Sequence, residues 1–336
     1  MNIMKIGIIG AGIIGTKRAE VIKLLGRDTV FRVADTDISK AESLSNRLNN
    51  CKYSDNWQDV VSDLHINAVI VSTTHNRLAE ISKSALISGK HVLCEKPLGL
   101  NVKEITNCVN EARKRGLIYK TGYNHRFHPA IFKAYKIFVK GKIGNIMYIK
   151  STYGIGGRPG YEKEWRMNPM LSGGGELIDQ GSHLIDLVLW FMGTFSSIKA
   201  ELTTSYWPVR VEDNAFLLLR GENGIAELHA SWTEWKNRFI FEVYGTEAYL
   251  KVNGLGGSYG TETLVLGLRT PGMAPKERVW KFSEPDPSWK REWINFKNAI
   301  SGKEKLLGTG SDGLETMKII ENIYRQVERT ENVKRV

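Results

Sequence analysis

Two short stretches of this 336-residue chain concentrate side chains able to move protons and hold oxyanions. The first is Glu95-Lys96-Pro97, which follows the apolar run His91-Val92-Leu93. A lysine at the end of a strand is placed to polarise a bound oxygen or stabilise a developing alkoxide, although most lysines are surface charges. Pro97 favours the first reading, because it restricts Lys96 to extended backbone and, if cis, fixes an unusual turn. The second stretch is Gly173-Gly174-Gly175-Glu176-Leu177-Ile178-Asp179-Gln180-Gly181-Ser182-His183-Leu184-Ile185-Asp186. On a helix Asp179 and His183 are four apart and Asp186 three further, so the three lie on or near one face. Leu177, Ile178, Leu184, Ile185, Leu187 and Val188 surround them, and a polar stripe in such company must be paired or functional. A histidine near its ordinary pKa of ~6.5 can take a hydroxyl proton while an adjacent carboxylate orients it. A structural Asp–His pair in a core is equally compatible with the helix taken alone. A metal site would need more ligands than this spacing offers. The glycines upstream let a ligand or the first domain approach the backbone closely.

A third group has the materials for gripping a polyol. Asn124-His125-Arg126-Phe127-His128-Pro129 and the glycine-rich run Gly156-Gly157-Arg158-Pro159-Gly160-Tyr161, with Glu164-Trp165-Arg166, offer stacking surfaces and charge-assisted hydrogen bonds. Asn124, Arg126, Tyr161, Trp165 and Arg166 are the candidates there, alongside Asp179 and His183. The same residue types serve as loop anchors or oligomer contacts. Trp232, Trp235 and the run Phe239 to Tyr244 read as sheet core or a sheet-mediated dimer surface.

These groups need elements to position them, and the N-terminus shows which kind. Residues 8–15 read Ile-Ile-Gly-Ala-Gly-Ile-Ile-Gly between a short apolar strand (Lys5 to Ile9) and a helix-permissive stretch (Thr16 to Leu25). Gly10 permits a sharp turn, Gly12 lets backbone approach a pyrophosphate, and Gly15 lets the helix pack closely on the strand. The phosphate then meets the helix N-terminus at Ile13 and Ile14, where N–H groups and the positive dipole end favour anions. Asp35 ends the next strand, Phe31-Arg32-Val33-Ala34, and a carboxylate there accepts hydrogen bonds from ribose hydroxyls while repelling a 2′-phosphate. The cofactor expected is therefore NAD rather than NADP. Helix capping is the competing role, and Asp37, just before a helix from Ile38 to Leu48, fits it better.

Strands and helices then alternate: a strand near Tyr53, Ala68 to Val71, a helix from Leu78 to Ser88, the strand from His91, a helix from Val102 to Arg115, and Ile118 to Thr121. Such alternation implies a parallel sheet covered on both faces, with Gly10 to Gly15, Asp35, Thr73 to Asn76 and Glu95 to Pro97 gathered beyond the strands' carboxyl ends. From about Tyr123 the grammar changes. Helical segments from Pro129 to Lys140 and Gly173 to Phe191 precede strands with period-two patterning (Lys199 to Tyr206, Ala215 to Arg220, Ile225 to Trp232, Phe239 to Tyr244, Ala248 to Val252), which favours an antiparallel sheet. Two helices, Trp289 to Ile300 and Ser311 to Arg329, close the chain. The expectation is a dinucleotide-binding domain at 1–123 and a substrate-binding and oligomerisation domain at 124–336, the last helix packing back on the first.

Composition narrows the classes. Hydrophobic residues at 42% and charged residues at 25% are ordinary for a soluble globular protein. No run reaches the ~18 apolar residues of a membrane span, and the N-terminus enters a strand without a signal-peptide pattern, so the expected location is cytoplasmic. Cys51, Cys94 and Cys108 lack metal-ligand spacing and read as reduced, packed thiols. The net charge of +11 is spread rather than gathered into a nucleic-acid-binding stripe, and suits an acidic small substrate equally well.

With the glycine turn, Glu95-Lys96-Pro97 and the Asp179 to His183 segment in this order, the chain resembles the glucose-fructose oxidoreductase, inositol dehydrogenase and rhizopine-catabolism (Gfo/Idh/MocA) family over nearly its whole length. The resemblance implies an α/β protein: an N-terminal Rossmann domain and a C-terminal α/β domain with a large open, mostly antiparallel sheet used for dimers or tetramers. It implies that Lys96 is the family's lysine, reaching nicotinamide and substrate together, that Asp179 and His183 are its catalytic Asp and His, and that Thr73, His75, Asn76, Glu95 and Lys96 join the cofactor contacts. The activity implied is NAD-dependent hydride transfer at a hydroxyl carbon of a sugar, nucleotide sugar or cyclitol. A family-type NAD-dependent glycosidase and a non-catalytic dinucleotide-sensing protein are the alternatives. One departure stands out: Thr74 replaces the proline, and Leu78 the histidine, that members commonly carry after the fourth strand.

Overall fold

The computed structural model describes residues 3–334. The chain forms two compact units: residues up to Tyr123 together with Trp289–Glu315, and Asn124–Ser288 together with residues from Thr316 onward.

The first unit begins β1 (Lys5–Ile9), α1 (Ile13–Leu25), β2 (Thr29–Ala34), α2 (Ile38–Asn46), β3 (Lys52–Ser54), α3 (Gln58–Val61), β4 (Ala68–Val71), α4 (His75–Ile87), β5 (His91–Cys94), α5 (Val102–Arg115) and β6 (Tyr119–Thr121). Its sheet runs β3-β2-β1-β4-β5-β6, all parallel. β1, β4 and β5 are short apolar runs whose side chains are nearly all inaccessible, as strands covered on both faces must be. The order reverses between β1 and β4, which opens a crevice at their carboxyl ends. Helix ends follow local chemistry. Gly26 and Gly116 close α1 and α5 in the left-handed region, and Asn101 caps α5 by accepting the Glu104 N–H.

The second unit contains α6 (Pro129–Phe138), β7 (Ile146–Gly154), α7 (Pro169–Ser172), α8 (Ser182–Met192) and β8 to β14 (Phe195–Thr203, Asn214–Gly221, Gly224–Ser231, Arg238–Gly245, Ala248–Asn253, Glu262–Leu268, Lys276–Phe282). Its eight-stranded sheet has the order β14-β13-β12-β11-β7-β10-β9-β8 and is antiparallel except where β7 meets β10. On one face Tyr148, Tyr244 and Tyr249 stack across three neighbouring strands. Helices α9 (Ser288–Ile300) and α10 (Gly310–Lys334) end the chain. Trp293 and Phe296 of α9 join the first unit's apolar core, anchored where Asp28 accepts from the Trp293 indole and pairs with Lys297.

The α/β architecture and the mostly antiparallel second sheet match expectation; several boundaries move. Helices α1 and α4 begin at Ile13 and His75, directly after their turns, rather than at Thr16 and Leu78. The stretch Gly173 to Phe191 is not one helix: a π-helical turn at Leu177–Gly181 precedes α8. β7, β13 and β14 have no counterpart among the expected strands. β14 is a charged edge strand with little buried surface, and edges are where charge replaces apolar alternation.

Candidate active site

The glycine turn of the first unit is shaped by contact at two positions and by space at the third. A Cβ on Gly10 would lie 2.4 Å from the Ser72 carbonyl oxygen, and Gly10 has a φ of +97° that side chains rarely adopt. On Gly15 a Cβ would fall 1.8 Å from the Gly10 carbonyl oxygen, so α1 packs on the turn as closely as backbone allows. Gly12 differs, for nothing stands within 4 Å of where its Cβ would be. It opens α1 without a side-chain cap, so Ile13 and Ile14 present the bare N-terminus of a helix to that space. A cleft of about 830 Å³ continues from Gly12 and Ile13 past Thr16 to Ser39 and Lys40 of α2. These residues fit a pyrophosphate.

Asp35 is tied to this turn. Its carboxylate accepts the Ala11 N–H at 2.7 Å and the Asp37 N–H at 2.9 Å, while Asp37 caps α2 by accepting from Ser39. The division of labour expected for the two aspartates is thus present on the capping side. After β4, Thr74 takes φ −62° and ψ 153° before α4. That φ is the one a proline imposes, so the threonine reproduces the backbone of the residue it replaces. The Thr74 hydroxyl donates to Asn76 Oδ1 at 2.8 Å, His75 is buried as the first residue of α4, Thr73 lies partly exposed beside them, and Leu78 is core.

At the end of β5, the Lys96–Pro97 peptide is cis and Leu98 has φ +78°. Leu98 is wholly buried, and that packing holds a branched residue in the left-handed region. Lys96 is half-buried, and Glu95 beside it accepts from Arg18 Nε at 2.6 Å.

In the second unit, the π turn carries Asp179 and α8 carries His183, both with under a tenth of their surface exposed. Single π turns inside helices recur at functional sites because the extra residue re-aims side chains. Arg166 donates to Asp179 Oδ2 at 3.1 Å and lies 4.7 Å from the Trp165 ring. Burial opposes the Arg166 charge, but Asp179, Tyr161 and Glu164 together raise its pKa above the ordinary value. His183 stacks on His125 with ring centroids 3.8 Å apart; His125 Nδ1 lies 3.1 Å from Asn124 Oδ1, and Asn124 donates to Ser288 at 3.2 Å.

Asp186, expected on the same stripe, is engaged elsewhere: Arg126 donates to it through Nε at 2.9 Å and through a terminal nitrogen at 2.6 Å, both residues buried. This places Arg126 in an interior ion pair. Tyr161 is likewise buried, packed edge-on against Trp207 and Trp232. The triple glycine also has its neighbours within the unit. A Cβ on Gly174 would meet the Tyr324 hydroxyl and one on Gly175 the Glu212 carbonyl oxygen, each at 2.0 Å. The close approach is therefore made by chain, and the Glu212 carboxylate accepts from the Gly175 and Leu177 N–H groups at 3.0 and 3.1 Å.

Two tyrosines absent from the expected set belong to this site. Tyr153 of β7 is 5.1 Å from His125 between ring centroids, and Tyr259 packs on Tyr153 at 5.2 Å. Burial first, then hydrogen bonding to Tyr153 weighed against the nearby carboxylates Glu176 and Asp179, pushes Tyr259 up to about 12, so it remains a phenol and can donate. Tyr259 stands in Gly254-Leu255-Gly256-Gly257-Ser258-Tyr259-Gly260, whose four glycines all have positive φ. That glycine density beside a tyrosine was the available signal. Among the described residues no group of three or more His, Cys, Asp or Glu is arranged to hold a metal ion, and no helix is long and apolar enough to cross a membrane.

Known proteins share this fold and its division into two domains. Residues 4–123 match the oxidoreductase family with NAD-binding Rossmann fold, and residues 131–251 match the Gfo/Idh/MocA C-terminal domain. Levoglucosan dehydrogenase of Pseudarthrobacter phenanthrenivorans is 25% identical over 293 residues, covering 75% of this chain and 74% of that protein. A solved levoglucosan dehydrogenase, in complex with NADH and L-sorbose, superposes with a TM-score of 0.90 at 21% identity over 98% of both chains. UDP-N-acetylglucosamine 3-dehydrogenase from Acidithiobacillus ferrooxidans does so at 0.81 and 20%, over 96% of this chain and 97% of that one. A glycine turn that fits a pyrophosphate, a lysine after β5, an aspartate on a π turn and a histidine on the helix that follows it thus occur in a chain whose two halves match one family: it belongs to the Gfo/Idh/MocA oxidoreductases and carries their NAD-binding Rossmann domain.

Proposed function

We propose that the chain moves a hydride between NAD(H) and a hydroxyl or keto carbon of a sugar, nucleotide sugar or cyclitol. The observation that carries this is the Asp179–Arg166 and His183–His125 arrangement beside the Tyr259 phenol. Bound nicotinamide supplies the hydride acceptor or donor. Gly10, Gly12, Gly15 and the helix start at Ile13 and Ile14 hold the pyrophosphate, and Asp35 the ribose; Thr73, His75, Asn76 and Glu95 complete the cofactor contacts. Lys96 polarises the reacting oxygen, His183 takes the hydroxyl proton, and Asp179, fixed by Arg166, orients the imidazole. Asn124, Arg126, Tyr161, Trp165 and Arg166 shape the substrate side, Arg126 and Tyr161 from within the fold. The stacked tyrosines of the open sheet face are the surface we assign to a homodimer or homotetramer.

Turnover of levoglucosan, L-sorbose and UDP-N-acetylglucosamine, followed by NADH absorbance, tests the reading. With the sugar that reacts, His183→Ala and Lys96→Ala each lower turnover by ~10²–10⁴-fold while NADH binding persists. Near-normal turnover in both variants overturns it.

A further inference from the structure

Behind Lys96 the first unit gathers four charges, of which only Glu95 has a part in the proposed cofactor contacts. Arg18, on the helix that begins at the glycine turn, reaches Glu95 with Nε at 2.6 Å and with a terminal nitrogen at 2.5 Å. Its other terminal nitrogen donates to Glu292 of α9 at 3.0 Å. Lys120 of β6 lies 3.5 Å from the second Glu292 oxygen and donates to the Leu307 carbonyl. Arg18 is 3% exposed, and Lys120 and Glu292 not at all. Trp289 covers the group, with the Arg18 guanidinium 4.9 Å and the Lys17 ammonium 4.6 Å from its ring. Even the backbone is shaped for it, since a Cβ on Gly122 would lie 2.9 Å from both Arg18 and Glu95.

Such a group is a poor way to gain stability. Two buried pairs cost more in lost hydration than well-packed apolar residues of the same size. Its placement suggests what it does instead: a charged chain links α1, which starts at the phosphate turn, to the carboxylate adjoining Lys96. Burial is the larger influence and leaves the Glu95 carboxyl above its ordinary value, with Arg18 foremost among the groups that pull it back toward the anion.

We infer that Arg18 is a positioning residue, held by Glu292, that fixes the Glu95 carboxylate and through it the Lys96 ammonium. The inference rests on Lys96 as the oxygen-polarising group, but its test needs no substrate. Reductive methylation of the full-length protein with formaldehyde and cyanoborohydride, followed at the Lys96 peptide by mass spectrometry across pH, reads the midpoint at which that amine becomes reactive. Arg18→Met removes the cation paired with Glu95 and should raise the midpoint by about one pH unit; Glu95→Gln removes the anion adjoining Lys96 and should lower it by about as much. NADH affinity of Arg18→Met, from fluorescence titration, should stay within about threefold. Arg18→Met alone strips Glu95 of its guanidinium and leaves Glu292 with Lys120 only, which can compromise folding. The double variant Arg18→Met with Glu292→Gln restores the group's net charge, and in it the midpoint should still rise. Midpoints that coincide with the parent's, or that move in one direction for all variants as thermal stability falls, would show a merely structural network. A chain that oxidises no sugar but shows the opposed shifts would refute the proposed activity and leave this coupling intact.

Discussion

The glycine turn at Gly10–Gly15 and the glycine run at Gly173–Gly175 use the same residue for opposite ends. In the run, both positions tested are pressed by the unit's own chain, by Tyr324 at Gly174 and by Glu212 at Gly175. In the turn, Gly10 and Gly15 are pressed in the same way, but Gly12 faces open space in front of a bare helix N-terminus. A glycine therefore signals close approach without saying what approaches. A contact partner already present means a packed joint, and empty space next to unsatisfied donors means a place kept for a ligand.

The difference between packed joint and ligand space is largest in effect at Gly15. Gly15→Ala drives a methyl into backbone on the cofactor side, and should cost about 3 kcal/mol or more together with nearly all NADH binding, read by melting and fluorescence titration. Gly175→Ala should cost about 2–3 kcal/mol for the same steric reason, yet the folded fraction should bind NADH as the parent does. Equal loss of NADH affinity in the two variants would erase the distinction. Gly12→Ala should leave the melting temperature unchanged and weaken NADH by about tenfold, or 1.4 kcal/mol, because the added methyl meets only the ligand.

The smallest effect concerns Glu212, which braces the run and accepts from the Tyr324 hydroxyl at 2.7 Å. Burial outweighs its hydrogen bonds and raises its pKa above the ordinary carboxylate value. A raised folded-state pKa means the protonated form is the one folding favours. Its contribution is complete below the unfolded value of ~4.3 and declines as pH climbs through the higher folded value. Glu212→Gln should remove that part of the decline, measured by urea unfolding across pH; an unchanged profile would show that Glu212 ionises as easily folded as unfolded.

Most of the first unit could be read from residue order. β1, the glycine turn, Asp35 and β4 are local signals in which the spacing that makes the element also makes the site. The second unit was less legible for identifiable reasons. β7 interrupts its apolar pattern with Lys150, Ser151 and Thr152, and Ser151 earns its buried place only through a hydrogen bond to the Ile240 carbonyl of β11, 89 residues away. β14 lacks a buried face to reveal it. The Asp179 to His183 segment was visible as polar residues among apolar ones, but the pairing of Asp186 with Arg126 and the stacking of His125 on His183 join residues about sixty apart. Contacts of that range leave no periodic trace. Tyr259 shows the same limit, since only the fold brings its loop to Tyr153.

The π turn at Leu177–Gly181 makes the site sensitive to chain length rather than to side-chain chemistry alone. Each residue of an α-helix turns its neighbours by about 100°. Deleting a single residue in this turn would let the segment relax into continuous α-helix, leaving the apolar face of α8 seated while swinging Asp179 away from Arg166. A frame-preserving loss of one codon would thus part the Asp179 carboxylate from the Arg166 guanidinium without replacing either side chain. On the role proposed for Asp179, relatives that differ here by one residue would orient their histidine by some other group.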